Sequence, residues 1–173
     1  RPIIGFCPGA EFGPAKRWPH YHYAALAKKL IDDGYQIALF GSAKDNEAGK
    51  EIIAALSSEQ QAWCRNLAGE TQLEQAVILI AACKAVVTND SGLMHVAAAL
   101  DRPLVALYGP SSPDFTPPLS HKARVIRLIS GYHKVRKGDA AEGYHQSLID
   151  ITPERVLQEL NELLTDKTGH EEA

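Results

Sequence analysis

The sequence predicts a Rossmann-like α/β fold, in which helices flank a parallel β-sheet. Short apolar runs alternate along the chain with longer amphipathic stretches, which is the pattern of strand-helix-strand units. Several of the apolar runs end in small or polar residues just before a helical stretch begins. With 173 residues, 45% of them hydrophobic and 23% charged, the chain is large enough to form one globular domain with its own core.

Five apolar runs are predicted strands, and a sixth run is a possible strand. The five lie at residues 3–7, 36–40, 64–67, 85–88 and 104–108, and the possible sixth at 124–128. The amphipathic stretches predict helices at 19–32, 44–56, 72–82, 92–100 and 153–164. Pro19 would stand in the first turn of the first helix, and Thr152 would cap the last one.

Two long segments lack a regular pattern and are predicted loops. Residues 109–123 are rich in proline and serine, and residues 131–146 carry glycine, histidine and alternating charges. In an open α/β sheet, ligands bind at the carboxyl ends of the strands. Residues 109–112 directly follow a predicted strand and are therefore a candidate wall of a binding site.

The ends of the chain and its overall composition restrict the kinds of partner and location that we expect. The chain starts at Arg1 and runs straight into an apolar strand, so we expect residues 1–164 to be one domain of a longer protein, followed by a disordered polar tail at 165–173. A net charge of -3 argues against nucleic acid as a partner. Three isolated cysteines predict reduced thiols and a cytoplasmic location, and no apolar run is long enough to predict a membrane span.

The strongest functional signal lies at the end of the fourth predicted strand. There a polar turn with Asp90, Ser91 and Gly92 opens a helix, and His95 follows one turn later. The first N–H groups of a helix have no internal acceptor and attract anions, so this turn predicts a phosphate site. Alternatively, Asp90 or Ser91 only caps the helix, and His95 packs or caps rather than acts in catalysis.

A second signal is the loop that follows the first strand. Gly9, Ala10 and Glu11 begin it, and the small residues leave room for a ligand. Lys16 and Arg17 end it just before a helix, where a lysine ammonium could neutralise a diphosphate. The alternative is a basic pair that is merely solvated.

A third signal follows the second strand. Ser42 and Asp45 lie where an acidic residue often holds ribose hydroxyls in nucleotide-binding domains. The alternative is that Asp45 only stabilises the first turn of a helix. After the third strand, Glu70 and Thr71 precede another helix and could close over a base.

Several known site types are missing from the sequence. It contains no phosphate-binding P-loop, no dinucleotide fingerprint and no hydrolase nucleophile elbow. The spacing of the seven histidines matches no zinc motif. We therefore expect neither a metal nor a cofactor.

Taken together, three motifs resemble the ADP-heptose:lipopolysaccharide heptosyltransferases. They are residues 89–95, residues 16–19 and residues 108–113. Residues 3–164 are similar to the C-terminal half of these enzymes, which binds the nucleotide sugar in a two-domain GT-B architecture. The resemblance implies that Lys16 faces the diphosphate and acts as the catalytic group that stabilises the leaving ADP. It also implies that the Asp90–Gly92 turn receives phosphate and sugar, that Asp45 lies near ribose, and that Glu70 and Thr71 lie near adenine.

The resemblance further implies an inverting transfer of heptose from ADP-heptose to the first heptose of the lipopolysaccharide inner core. The acceptor and the catalytic base would belong to an N-terminal half, so the chain alone would be inactive. The whole enzyme would work at the cytosolic face of the inner membrane, in peripheral contact at most. The 131–146 segment lacks cysteines that some relatives carry, so the resemblance assigns it no role. Two other interpretations remain open: half of an enzyme that uses a UDP-sugar, such as another GT-B enzyme or an epimerase, and a non-catalytic nucleotide-binding module.

Overall fold

A single parallel sheet of six strands forms the centre of the molecule. The computed structural model describes residues 1–10, 13–110, 117–118, 120–129 and 141–165. The strands are β1 (Ile3–Cys7), β2 (Gln36–Leu39), β3 (Cys64–Asn66), β4 (Ala85–Asn89), β5 (Leu104–Tyr108) and β6 (Ala123–Arg127). They lie side by side in the order β3-β2-β1-β4-β5-β6, and every neighbouring pair is parallel. The predicted fold class is confirmed, and the possible sixth strand is present.

Helices connect the strands across both faces of the sheet. They are α1 (His20–Asp32), α2 (Asn46–Ala54), α3 (Ser58–Gln61), α4 (Leu73–Ala81), α5 (Gly92–Ala99), α6 (Gln146–Ile149) and α7 (Pro153–Thr165). Short 3-10 turns lie at Pro14–Lys16, Ala43–Asp45 and Ala141–Gly143. As predicted, Thr152 caps the last helix, because its hydroxyl accepts the backbone N–H of Arg155 at 3.1 Å.

The structure corrects four details of the predicted elements. Pro19 precedes the first turn of α1 instead of standing in it, because its ψ of 142° is not helical. The predicted helix at 44–56 begins as a 3-10 turn and ends at Ala54, and Ser57 then caps the separate helix α3, which the sequence pattern did not reveal. Of the predicted loop at 131–146, the last six residues contain a 3-10 turn and the start of α6. Thr165, expected in the tail, is the last residue of α7.

Some predicted features lie outside the described residues. They are residues 111–116 and 119 of the first predicted loop, which include 111–112 of the candidate wall, residues 131–140 of the second predicted loop, and residues 166–173 of the predicted tail.

The core consists of two layers, one on each face of the sheet. Successive side chains of a strand point to opposite faces. In β5, Val105 and Leu107 accordingly pack with α1 and α7, whereas Leu104, Ala106 and Tyr108 pack with α4 and α5. Burial on both faces explains why the strands are continuous apolar runs. In the described part of the chain, none of the helices has the length and apolar character needed to cross a membrane.

The order of the strands determines where a ligand can bind. The chain proceeds outward from β1 to β3 on one side and from β4 to β6 on the other. Loops leave the carboxyl ends of β1 and β4 in opposite directions, which opens a crevice between them. The candidate residues at the ends of β1, β2 and β4 are therefore brought to one edge of the sheet.

Candidate functional site

A cavity of about 390 Å³ lies at the carboxyl edge of the sheet. Three strand-to-helix junctions form it, and α4 contributes one side chain. After β1 it is lined by Gly9 and Ala10, after β2 by Gly41, Ser42, Lys44 and Asp45, and after β4 by Ser91 and Gly92. Apolar side chains complete the lining, namely Cys7, Phe40, Leu73, Leu93 and Val96.

The junction after β4 presents the start of α5 to this cavity. Ser91 is the N-cap residue, with φ -151° and ψ 168°, but its hydroxyl makes no capping hydrogen bond. That hydroxyl lies 3.4 Å from the Thr88 hydroxyl instead. A methyl group built on Gly92 would meet no atom within 4 Å, so the backbone there is open to a ligand. This arrangement suits an anion at the helix N-terminus.

The junction after β2 is closed by Asp45. Its carboxylate accepts hydrogen bonds from the backbone N–H of Ser42 at 2.9 Å and from the Ser42 hydroxyl at 3.1 Å. Only 6% of Asp45 is exposed. The Asp45 side chain therefore fixes the loop, in agreement with the alternative that it stabilises the first turn of a helix. Asp45 also lines the cavity. A contact with ribose stays a prediction.

Arg17 is not a solvated surface residue. Its guanidinium lies 3.4 Å from the Ala10 carbonyl oxygen and 3.5 Å from Asp45 Oδ1. Its Nε is buried and, among the described residues, has no hydrogen-bond partner. Arg17 thus links the loop after β1 to the loop after β2, so the alternative of a merely solvated side chain does not hold for Arg17.

Asn89, the last residue of β4, connects several of these loops and was not identified from the sequence. Its side chain is fully buried. It accepts hydrogen bonds from the Trp18 N–H and the Tyr23 hydroxyl, and it donates to the carbonyl oxygens of Pro8 and Gly9. A polar residue at the end of a buried strand was the available signal, because buried amides are nearly always hydrogen-bonded.

The remaining predicted residues fall into separate groups. Glu70 and Thr71 line a neighbouring cavity of about 510 Å³, which shares Phe40 with the first. Lys16 ends the 3-10 turn Pro14–Lys16, beside Arg17, and neither it nor the partly buried Asp90 is among the lining residues. His95 is exposed on α5 and does not line the cavity either. Glu11 lies outside the described residues.

Cys7 contributes a neutral thiol to the cavity. Burial, together with the nearby Cys83, raises the pKa of the Cys7 thiol to about 12. Because the thiolate is the reactive form of cysteine, Cys7 is not a nucleophile at neutral pH. This thiol therefore does not attack a ligand in the cavity.

A separate polar cluster holds the segment before α6 against α1. His20 Nδ1 lies 2.7 Å from the Tyr144 hydroxyl, 3.2 Å from Glu51 Oε2 and 3.6 Å from Glu142 Oε2. Gly143 lies between Glu142 and Tyr144 and packs on Pro14. A methyl group added to Gly143 would come within 2.7 Å of the proline ring. This cluster supports the turn that carries Lys16 and does not belong to the cavity.

Comparison with known proteins identifies the family. The chain matches glycosyltransferase family 9 (heptosyltransferase) over residues 1–145. It is 87% identical to lipopolysaccharide heptosyltransferase 2 of Salmonella typhimurium over 167 residues, which are 96% of this chain and 48% of that protein. It is 89% identical to lipopolysaccharide heptosyltransferase 2 of Escherichia coli over 164 residues, which are 95% of this chain and 47% of that protein. The chain thus spans about half the length of these relatives.

Solved structures agree with the sequence relatives. The structure of Escherichia coli ADP-heptose lipopolysaccharide heptosyltransferase II superposes with a TM-score of 0.89 at 80% identity, covering 100% of this chain and 48% of that one. An Escherichia coli heptosyltransferase solved with ADP superposes with a TM-score of 0.74 at 27% identity, covering 93% of this chain and 44% of that one. The resemblance to heptosyltransferases, and to heptosyltransferase II in particular, is confirmed. The chain belongs to glycosyltransferase family 9, the heptosyltransferase family.

Proposed function

We propose that this chain binds ADP-heptose and is the donor-binding half of a lipopolysaccharide heptosyltransferase. The observation that carries the proposal is the meeting of three strand-to-helix junctions around one cavity, at the point where the strand order reverses. A relative with the same fold was solved with ADP, which supports the choice of nucleotide. The cavity volume of about 390 Å³ lies within the range of small-molecule sites.

The lining has two kinds of surface, which suit the two parts of a nucleotide diphosphate. The start of α5 at Ser91 and Gly92 offers backbone N–H groups and the positive end of a helix dipole, which favour phosphate oxygens. Phe40, Leu73 and Leu93 offer apolar surface that suits the base or the sugar. Leu73 is 65% exposed, so covering it with a ligand would remove apolar surface from water.

In the proposed reaction, this half stabilises the departing ADP. Negative charge develops on the diphosphate as the bond to the heptose breaks, and fixed amides and cations stabilise such charge. Lys16 is the cation we assign to this task. A base in the other half of the enzyme would deprotonate the acceptor hydroxyl. The hydroxyl oxygen then attacks the anomeric carbon of the heptose, with inversion. No metal is needed in this scheme.

The proposal also covers the acceptor, the place of the reaction and the extent of the domain. The acceptor is the first heptose of the lipopolysaccharide inner core, bound by the half of the enzyme that this chain does not contain. The reaction takes place at the cytosolic face of the inner membrane. We assign the domain to residues 1–165, because α7 ends at Thr165.

Calorimetric titration of the 173-residue chain with ADP, ADP-heptose and UDP tests the proposal. We expect ADP and ADP-heptose to bind with similar affinities and UDP to bind more weakly, because the cavity would be adapted to one base. Tighter binding of UDP would favour the alternative of a UDP-sugar enzyme. Binding of none of the three would contradict the proposed site.

A further inference from the structure

The side chain of Asn89 uses every hydrogen-bonding position that it has. Oδ1 accepts from the Trp18 backbone N–H at 3.0 Å and from the Tyr23 hydroxyl at 2.9 Å. Nδ2 donates to the carbonyl oxygen of Pro8 at 2.8 Å and to that of Gly9 at 3.3 Å. A side-chain amide has two donors and two main acceptor positions, so Asn89 is saturated. These partners also fix which amide atom is oxygen, because the reverse assignment would place donors against donors.

These bonds determine how the loop after β1 presents its backbone. In a trans peptide, the C=O of one residue and the N–H of the next point in opposite directions. Because the carbonyls of Pro8 and Gly9 point toward Asn89, the N–H groups of Gly9 and Ala10 point away from it. Both residues are buried, and both line the 390 Å³ cavity.

Within the described ranges of the chain, neither N–H group donates a hydrogen bond to a backbone carbonyl. Buried backbone donors without an acceptor are rare in folded proteins, since leaving one unpaired costs about as much as losing a hydrogen bond. A pair of them beside a cavity is therefore a candidate oxyanion site. The same Asn89 side chain also holds the Trp18 backbone and so fixes the end of the segment that carries Lys16 and Arg17.

We propose that Asn89 is a positioning residue for the nucleotide diphosphate. It aims the Gly9 and Ala10 N–H groups at the phosphate oxygens, and through the Trp18 backbone N–H it fixes the end of the segment that carries Lys16 and Arg17. This inference rests on the proposed function of the cavity. Asn89 itself does not touch the ligand.

The Asn89→Asp variant tests this role, with Tyr23→Phe as its control. Aspartate keeps the two acceptors for Trp18 and Tyr23 but places a carboxylate oxygen against the Pro8 and Gly9 carbonyls, which must turn away. We expect the Kd for ADP to rise about tenfold or more, because hydrogen bonds to a charged group are lost. The Kd for adenosine should change less than about twofold, because adenosine has no phosphate to contact these N–H groups.

Tyr23→Phe removes a hydrogen bond from the opposite side of Asn89 and leaves the Nδ2 bonds in place. We expect it to lower the melting temperature without changing the ratio of ADP to adenosine affinity. If Asn89→Asp weakened ADP and adenosine equally, or weakened neither, Asn89 would be a structural residue only. Either result would overturn the proposal.

Amide resonances of the unmodified chain decide the matter even if Asn89→Asp does not fold. Addition of ADP, or of inorganic pyrophosphate alone, should move the proton resonances of the Gly9 and Ala10 amides downfield. If ADP shifts the amides of Ser91 and Gly92 but not those of Gly9 and Ala10, the role of Asn89 is wrong and the proposed function stands. If ADP shifts none of these amides, the proposed function itself fails.

Discussion

Lys16 and Arg17 are neighbours in the sequence, but we expect them to have different roles. Arg17 is bonded to the Ala10 carbonyl oxygen and to Asp45, so it holds two loops of the site together. Lys16 ends the adjacent 3-10 turn with its side chain partly buried. Because we propose that Lys16 faces the diphosphate and Arg17 holds the loops, substitution of the two residues should have different effects.

We predict that Lys16→Ala raises the Kd for ADP about tenfold or more, because a contact between an ammonium group and a diphosphate is lost. The melting temperature should change little, since Lys16 is not among the core residues. Lys28→Ala, which removes the same charge from an exposed position on α1, is the matched control. Calorimetry with both variants measures the effect, and equal affinities for ADP would show that Lys16 does not face the diphosphate.

The three cysteines are predicted to be unreactive in the native protein. Burial raises the pKa of Cys7, Cys64 and Cys83 to about 12 each, so at pH 8 only about one thiol in ten thousand is ionised. A thiol reagent should therefore label the native chain very slowly at pH 8, faster as the pH rises, and at all three positions in denaturant. Rapid labelling of the native protein at pH 8 would contradict this account.

At the scale of elements, two glycines of the site have opposite surroundings. A methyl group at Gly92, the first residue of α5, would meet nothing within 4 Å. A methyl group at Gly41 would stand 2.7 Å from Asp45 Oδ2, which is too close for any real contact. The first position is open for a ligand, whereas the second is filled by the protein.

We predict that Gly92→Ala leaves the melting temperature almost unchanged but raises the Kd for ADP about tenfold, because the methyl group occupies space that phosphate needs. Gly41→Ala should instead lower the stability by about 1 to 3 kcal/mol, since Asp45 must move. That loss corresponds to several degrees in melting temperature. Thermal unfolding and calorimetry of both variants distinguish them, and a Gly92→Ala variant that binds ADP normally would exclude close approach of a ligand at α5.

The sequence predicted the strands and the long helices because their pattern is local. Strands buried on both faces are apolar runs, and β4 with its polar turn was recognisable from ten residues. Helix α3 has only four residues, about one turn, which is too short for a hydrophobic periodicity to be recognised. The role of Asn89 was missed because its partners come from distant parts of the chain: its amide donates to the Pro8 carbonyl, 81 residues away. The contact of Arg17 with Asp45, 28 residues away, was missed for the same reason. Such contacts exist only after the sheet has formed.

At the scale of the whole molecule, the chain spans about half the length of its relatives. We predict that it binds the donor but transfers no heptose by itself. General base catalysis contributes about 10² to 10⁴-fold in rate, and acceptor positioning can contribute about 7 to 11 kcal/mol. Asp45 is already bonded to Ser42, and Glu70 lines the neighbouring cavity, so neither is placed to act as the missing base.

Incubation of the chain with ADP-heptose and an acceptor that bears the first heptose gives the test. ADP release and the mass of the acceptor are followed, with the full-length Escherichia coli relative as the positive control. We expect product from the control only. Product from this chain alone would mean that the catalytic base lies within these 173 residues.

The most direct test of the central claim is a map of backbone amide shifts as ADP is added to the labelled chain. We predict that the largest shifts cluster at the three junctions, around Ala10, Ser42 and Gly92, with further shifts at Lys16 and near Glu70. The Kd derived from the concentration dependence of these shifts should agree with the Kd measured by calorimetry. Shifts confined to residues 131–146, with the three junctions unchanged, would contradict the account and place the nucleotide elsewhere.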